Sequence, residues 1–139
     1  ARASGARDWE ISVALRFRDW ASKLVAAVQQ GNPSLEAVIQ AIRIDDIVLA
    51  SIGLETFTET GMAIKARSPF GHTQVLGFSN GPVAYLPRFE DYPAGGWKID
   101  ERYAVPDLFV QAYSLPVALR PDTEQRVVEH VTNLIQQLA

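Results

Sequence analysis

The spacing of apolar residues predicts a helix near the start of the chain. From about Trp9 to Gln30, apolar residues recur at steps of three and four, which places them on one stripe of a helix. Asp8 is a suitable cap, and Gly31-Asn32-Pro33 ends the helix. We expect the stripe to pack against a core, and its two tryptophans also suggest a large partner surface. The stripe consists of Trp9, Val13, Phe17, Trp20, Leu24 and Val28.

The same spacing predicts a second long helix at the end of the chain. Pro121-Asp122 opens it, and Asp122 with Gln125 has the spacing of a capping box. Its apolar stripe consists of Val127, Val128, Val131, Leu134, Ile135 and Leu138.

Between the helices, the pattern changes to one that is typical of strands. Ser34 to Ile44 is rich in β-branched residues, and Ile47 to Ile52 is a continuous apolar run. A continuous run is expected of a strand that is covered on both faces. The pair Asp45-Asp46 between them predicts a tight turn, so the two segments should form a hairpin with a two-residue loop.

A short helix and further strands should follow this hairpin. Thr56 or Thr58 can cap a helix that ends before Ser68-Pro69. Thr73 to Phe78 and Val83 to Leu86 are extended segments, and the region from Pro87 to Pro106 is long and irregular. The order of elements predicts an α/β fold, with a mixed β-sheet and flanking helices.

Composition narrows the class of protein. A chain of 139 residues with 47% apolar residues is one domain or part of a larger one. The net charge is -3, and the sequence contains no basic patch that would bind nucleic acid. The absence of cysteine excludes disulfides, thiolate zinc sites and a cysteine nucleophile. No segment is apolar enough to span a bilayer, and residues 1–7 are interpreted as a flexible end without the features of a signal peptide.

Two oxygen-bearing side chains follow strand-like segments. Glu55 comes directly after a predicted buried strand, and ligands of α/β proteins bind at the carboxyl ends of strands. Tyr85 follows the turn signal Asn80-Gly81. From position alone, Glu55 could equally be a solvated or helix-capping residue, and Tyr85 a surface residue of an amphipathic strand. His72 and His130 are the two histidines of the chain, and their spacing gives no sign that they converge on Glu55.

The stretch from about Ala41 to Leu138 resembles the closing part of the catalytic domain of neutral/alkaline (non-lysosomal) ceramidases, especially their short bacterial members. The resemblance rests on several short motifs that occur in the family's order and spacing. The matching segments are Ile47–Ala50 with Gly53-Leu54-Glu55, Gly61, Ile64–Phe70, His72-Thr73, Gly77–Asn80 with Tyr85, Glu90–Gly96 and Pro121–Leu138.

The resemblance implies a zinc-dependent amide hydrolase that acts on N-acylsphingosine or a related N-acyl amide. The family holds zinc with two histidines, a glutamate and a tyrosine, and the last two match Glu55 and Tyr85. Tyr85 would then also be catalytic, while Trp97, Tyr92 and Asn80 would contact the substrate. Trp97 takes the position of the family's second active-site tyrosine, and its indole can donate a hydrogen bond but cannot act as a phenol. A secreted or periplasmic location is also implied.

The resemblance further implies that residues 8–139 are the C-terminal portion of a ceramidase-like catalytic domain. The family's two histidine ligands come from an earlier part of its chain, so we expect an upstream segment or a second chain to supply them. Two other hypotheses stay open. The chain could be a non-catalytic domain of the same fold that binds a partner or an apolar ligand, or an unrelated hydrolase that uses Glu55 as a general base.

Overall fold

The α/β fold class predicted from the sequence is confirmed. The structure is a computed structural model, and it describes residues 8–31, 34–91, 98–100, 103–104, 113, 115 and 119–139. The helices are α1 (Asp8–Gln30), α2 (Thr58–Arg67) and α3 (Thr123–Gln136), with a short 3-10 helix at Phe89–Asp91. The strands are β1 (Ile39–Ile44), β2 (Ile47–Ile52), β3 (Glu55–Thr56), β4 (His72–Leu76), β5 (Tyr85–Leu86), β6 (Lys98–Asp100) and β7 (Tyr103–Ala104).

A three-stranded sheet in the order β1-β2-β4 forms the centre of the fold. β1 and β2 make the predicted antiparallel hairpin, in which Ile44 pairs with Ile47 across the turn Asp45-Asp46. β4 then runs parallel to β2, and α2 lies in the connection between them. The strand predicted from Ser34 begins only at Ile39, because its partner β2 ends at Ile52.

One face of this sheet carries the core. Val48, Ala50 and Ile52 of β2 are buried in one cluster with Ile64 of α2 and with residues of α3. Fully burying a side chain of this size contributes about 1.5–3 kcal/mol. The predicted stripe of α3 is confirmed, because four of its members belong to this buried cluster and the other two pack against the cluster or are half-buried. The four are Val127, Val128, Val131 and Ile135.

The opposite face of the sheet is exposed in the described part of the chain. It presents Ile42 and Ile44 from β1, Ile47 from β2 and Leu76 from β4, which are between 41% and 58% exposed. We call this the open sheet face. The expectation that β2 is covered on both faces is therefore wrong for residues 8–139 as described, since α2 and α3 pack on one side only.

The stripe of α1 does not form a core either, although the helix has the predicted length. Trp9 and Val28 are 53% and 66% exposed, and Phe17 is also exposed. Ala27 is buried, and Trp20 packs against the core, but the indole nitrogen of Trp20 is buried without a hydrogen-bond partner in the described residues. The prediction of core packing is wrong for the exposed members, because no described layer lies over them.

The cap predicted for α2 is wrong, and Asp122 takes the predicted cap position of α3 without making the capping bond. α2 begins at Thr58 after the cap residue Phe57, and Thr56 lies in β3. Asp122 precedes α3 but makes no side-chain capping bond, because the guanidinium of Arg120 binds both of its carboxylate oxygens at 3.0 and 3.1 Å.

The predicted third and fourth strands are shorter than expected. β4 ends at Leu76 rather than Phe78, since Phe78 adopts a left-handed conformation with φ of 58° that no strand can continue. Of the described helices, none has the length and apolar character needed to cross a membrane. Residues 1–7, Tyr92 and Trp97, for which the sequence also makes predictions, lie outside the described residues.

Candidate functional site

The fold brings the two predicted metal ligands together. β3 and β5 form a parallel pair in which Glu55 is the direct partner of Tyr85 and Thr56 the partner of Leu86. The amide of Glu55 donates a hydrogen bond to the carbonyl of Ala84 over 2.9 Å. Neighbouring strands lie about 4.8 Å apart, and paired residues point to the same side. The carboxylate and the phenol therefore leave the backbone side by side.

Close backbone packing holds this pair in place after β2. The amide of Gly53 donates to the carbonyl of Val38 at 2.8 Å, and a Cβ at Gly53 would lie only 3.0 Å from that oxygen. At Gly77, a Cβ would lie 2.4 Å from the hydroxyl of Thr56 in β3. At Gly53 the backbone of the segment before β1 therefore leaves little room for a side chain, whereas a side chain at Gly77 would require the Thr56 hydroxyl to move.

Tyr113 joins the pair from a distant part of the chain. Its hydroxyl donates a hydrogen bond of 2.7 Å to Oε2 of Glu55, across 58 positions of sequence. Burial, the hydrogen bond to Glu55 and the negative charge of Glu55 raise the pKa of Tyr113 to about 12, with a further contribution from Tyr85. Tyr113 consequently keeps its proton at neutral pH and acts as a donor to the carboxylate.

The ring of Tyr85 is set by aromatic and cationic neighbours. It meets the ring of Phe57 edge to face, with centroids 5.3 Å apart. The guanidinium of Arg88 lies 5.5 Å from the centre of the Phe57 ring and forms an ion pair with Glu59 at 3.1 Å. These contacts connect the start of α2 with the ring of Tyr85.

Glu124 ties the first turn of α3 to the same region. Its two carboxylate oxygens accept bonds from the buried hydroxyl of Thr60, at 2.7 Å, and from the amide of Phe89, at 2.9 Å. Thr60 lies in α2, and Phe89 follows β5 by three positions. One side chain therefore locks α2, α3 and the segment after β5 into one arrangement around the site.

A tight turn between β4 and β5 supports the other side of the pair. Phe78 and Asn80 both have left-handed φ angles, of 58° and 56°. The amide of Phe78 donates to the carbonyl of Leu54 at 2.8 Å, one residue before Glu55. The side-chain amide of Asn80 donates to Gln40 at 2.9 Å and to Ser51 at 3.0 Å. These bonds attach the turn to the sheet, and substrate contact by Asn80 stays a prediction.

A shallow groove of about 490 Å³ runs beside this turn from Glu55 along α2. Its lining combines the apolar side chains of Phe57, Met62 and Phe78 with polar ones, among them Thr58 and Lys65. Met62 and Phe78 are 63% and 59% exposed. The groove therefore has a mixed polar and apolar lining, and it includes Glu55.

The two histidines do not join the site. His72 pairs with Ile47 at the start of β2, whereas Glu55 follows the end of that six-residue strand. A rise of about 3.3 Å per residue keeps them roughly 17 Å apart along the strand. His130 is exposed and lines a separate cavity of about 520 Å³ with Arg126 and Leu35.

The resemblance implies four zinc ligands, of which Glu55 and Tyr85 match two. Zinc accepts carboxylate oxygen, and catalytic zinc is held by three protein ligands or more with a position left open. Glu55 and Tyr85 provide two oxygens on one side of a strand pair. In residues 8–139 as described, no group of three or more His, Cys, Asp and Glu side chains could hold a metal ion. Glu55 and Tyr85 are thus neighbours in the fold, and their binding of zinc stays a prediction.

Comparison with known proteins identifies no relative. No family model, no curated protein and no solved structure matches the chain.

Proposed function

We propose that this chain supplies part of the metal site of a zinc-dependent amide hydrolase that resembles neutral ceramidase. Glu55 and Tyr85 are its ligands, and an N-acyl amide with a long hydrocarbon chain is its substrate. The observation that carries the proposal is the direct pairing of Glu55 with Tyr85 in the β3–β5 ladder. Two residues chosen from a sequence resemblance are neighbours in the fold, which random surface positions would rarely be.

Zinc held by these residues would supply Lewis acidity toward the amide carbonyl. The chain's own residues do the rest of the preparation. Tyr113 holds one oxygen of the Glu55 carboxylate, and Phe57 orients the ring of Tyr85. The groove beside Met62 and Phe78 would receive the acyl chain.

An upstream segment or a second chain completes the site with two histidines. The open sheet face supports this part of the proposal, since Ile42, Ile44, Ile47 and Leu76 form an apolar surface on the centre of the fold. Such surfaces on soluble domains mark sites of contact with other protein. The exposed stripe of α1 supports the same conclusion, because Trp9 and Val28 would gain cover from a second layer.

A non-catalytic domain of the same fold is the second candidate. The exposed side chains Met62 and Phe78 in the groove and the open sheet face favour it, because both surfaces would serve binding of a partner or an apolar ligand without any metal. Metal content separates the two candidates.

The decisive experiment measures zinc in the complete native protein, purified without chelators, and in its Glu55→Gln variant. We expect about one zinc per chain in the wild type, a strong loss in the variant, and parallel loss of N-acylsphingosine hydrolysis. Glu36→Gln is a matched control, because Glu36 is exposed and the substitution removes the same charge.

The outcomes distinguish three classes of protein. A native protein without zinc, in which Glu55→Gln changes nothing, is the non-catalytic domain. Hydrolysis that survives chelation but is lost in Glu55→Gln indicates that Glu55 is a general base in an unrelated hydrolase.

A further inference from the structure

The cavity beside His130 is separate from the Glu55–Tyr85 pair and has a lining of its own. Its volume is about 520 Å³, and small-molecule sites in proteins span about 300–1,000 Å³. On one side it is lined by Leu35, Ala37 and Ile39, from the segment that leads into β1, and on the other by residues of α3. The cavity is therefore a cleft between an extended segment and a helix.

Much of this lining is apolar. Leu54 and Val127 are buried, and Ala37 and Ile39 are half-buried and pack against the same core cluster. Leu35 also lines the cavity and is 40% exposed. An apolar group bound here would cover carbon atoms that now face water, and such burial favours binding roughly in proportion to the area covered.

Polar side chains of α3 line the same cavity in one row. They occur at steps of three, four and three, which places them along one side of the helix. The row consists of Thr123, Arg126, His130 and Asn133. Among the described residues, the side chain of Arg126 has no hydrogen-bond or ion-pair partner. Asp122, one turn earlier, is already bound on both carboxylate oxygens by Arg120, so the guanidinium of Arg126 is available to a ligand.

The positions of the charges in this lining favour an anion. Successive residues of a helix are about 100° apart, so His130 and Arg126 lie about 60° and 100° from the buried Val127, both in the same direction. Glu129 also lines the cavity, but it lies about 160° from Val127 in that direction, at the outer rim. A ligand that rests on the apolar lining therefore meets the guanidinium before it meets the carboxylate.

We propose that this cavity binds a small organic monocarboxylate with an apolar body. The carboxylate accepts two parallel hydrogen bonds from the guanidinium of Arg126, a pairing that is both strong and directional, and Asn133 is a further donor. The apolar body lies against Leu35 and Leu54. The inference goes beyond the proposed function and does not depend on it, since neither Glu55 nor zinc takes part.

The test measures the binding of octanoate to the complete protein by isothermal titration calorimetry, with octanamide as an uncharged probe of the same length. Octanoate should bind about tenfold more tightly or better, because only octanoate carries a charge for Arg126. Arg126→Gln should raise the dissociation constant of octanoate by about tenfold or more and leave that of octanamide within about twofold.

Glu129→Gln should have the opposite effect. It removes a negative charge near the bound carboxylate, so octanoate should bind about two- to fivefold more tightly. Arg67→Gln is the matched control for Arg126→Gln, because it removes an exposed guanidinium at the end of α2, and it should leave both affinities unchanged. Leu35→Ser should weaken both probes, since it removes part of the apolar lining that they share.

Three results would overturn the proposal. In the first, octanoate does not bind, or binds no more tightly than octanamide, a comparison that needs no variant. In the second, Arg126→Gln keeps the circular dichroism spectrum of the wild type and binds octanoate equally well. In the third, free leucine binds more tightly than octanoate and loses affinity in both Arg126→Gln and Glu129→Gln, which would assign the cavity to a zwitterion.

Discussion

The two long helices, α1 and α3, have the same kind of sequence and opposite surroundings. Each carries an apolar stripe at helical spacing, and each forms a helix with close to the predicted bounds. Val131 and Ile135 of α3 are fully buried, whereas Val28 of α1 is 66% exposed. An apolar stripe therefore predicts which side of a helix can be buried, but burial requires another element to pack against that side.

The largest change in stability is expected when a side chain of the buried stripe of α3 is shortened. Ile135→Ala should lower the free energy of unfolding by about 2–5 kcal/mol, because it removes buried carbon atoms and leaves a cavity. Urea unfolding measures the change through the midpoint at constant slope. A loss below about 1 kcal/mol would mean that α3 is no better packed than α1.

The hydrogen bond between Thr60 and Glu124, which joins α2 to α3, should contribute less to the free energy of unfolding. Thr60→Val leaves one oxygen of Glu124 without its buried donor, and we expect a loss of about 1–3 kcal/mol. Thr58→Val removes an exposed hydroxyl from the same helix and serves as the control in the same urea titration. Equal effects of the two substitutions would show that the Thr60–Glu124 bond does not anchor α3.

A pH titration extends the comparison to the site beside α3. The pKa of Tyr113 is raised from its ordinary value of 10.0 to about 12 in the folded chain, so the folded state holds this proton more tightly than the unfolded state. The resulting stability is fully present below pH 10 and is lost as the pH rises from about 10 to 12.

Tyr113→Phe should remove this part of the alkaline decline. Chemical denaturation at several pH values between 9 and 12 measures it. A slope unchanged by the substitution would assign the decline to other groups.

The smallest effect is expected on the exposed stripe. Val28→Ala should change the free energy of unfolding of this chain by no more than about 0.5 kcal/mol, because it removes little buried area and alanine favours helix. Val131→Ala, the same substitution in α3, should cost about 1.5 kcal/mol or more, from two buried methyl groups at about 0.8 kcal/mol each.

The same pair of variants also tests the proposed second layer. If α1 is covered in the complete protein, Val28→Ala should become destabilising there and remain neutral in residues 1–139 alone. If Val28→Ala leaves the free energy of unfolding unchanged in both proteins, no second layer packs over Val28.

Local patterns were sufficient to predict the parts of the fold that depend on neighbours in sequence. The turn Asp45-Asp46 joins strands that pair residue by residue, and the Val131 stripe packs as its spacing indicates. Glu55 and Tyr85 became candidates through family resemblance and positions next to strands; the structure pairs them, and their role as ligands stays a prediction.

Contacts between distant segments could not be predicted in this way. No local signal joins Tyr113 to Glu55, because the bond requires the finished packing of a segment 58 positions away. Asp122 fits the sequence rule for a cap, yet a charged neighbour, Arg120, competes successfully for its carboxylate. Exposure of Trp9 also depends on what lies outside its own helix.

The ladder that carries Glu55 and Tyr85 has only two residues in each strand. Cooperative protection of a backbone amide grows with the number of surrounding bonds that must break together, so this ladder can open in a local fluctuation that leaves β2 intact. Closure by a metal ion or by a bound amide would remove that freedom. A bound ligand would therefore restrict the distance between the side chains of Glu55 and Tyr85, and we expect this site to be most rigid when a ligand is bound.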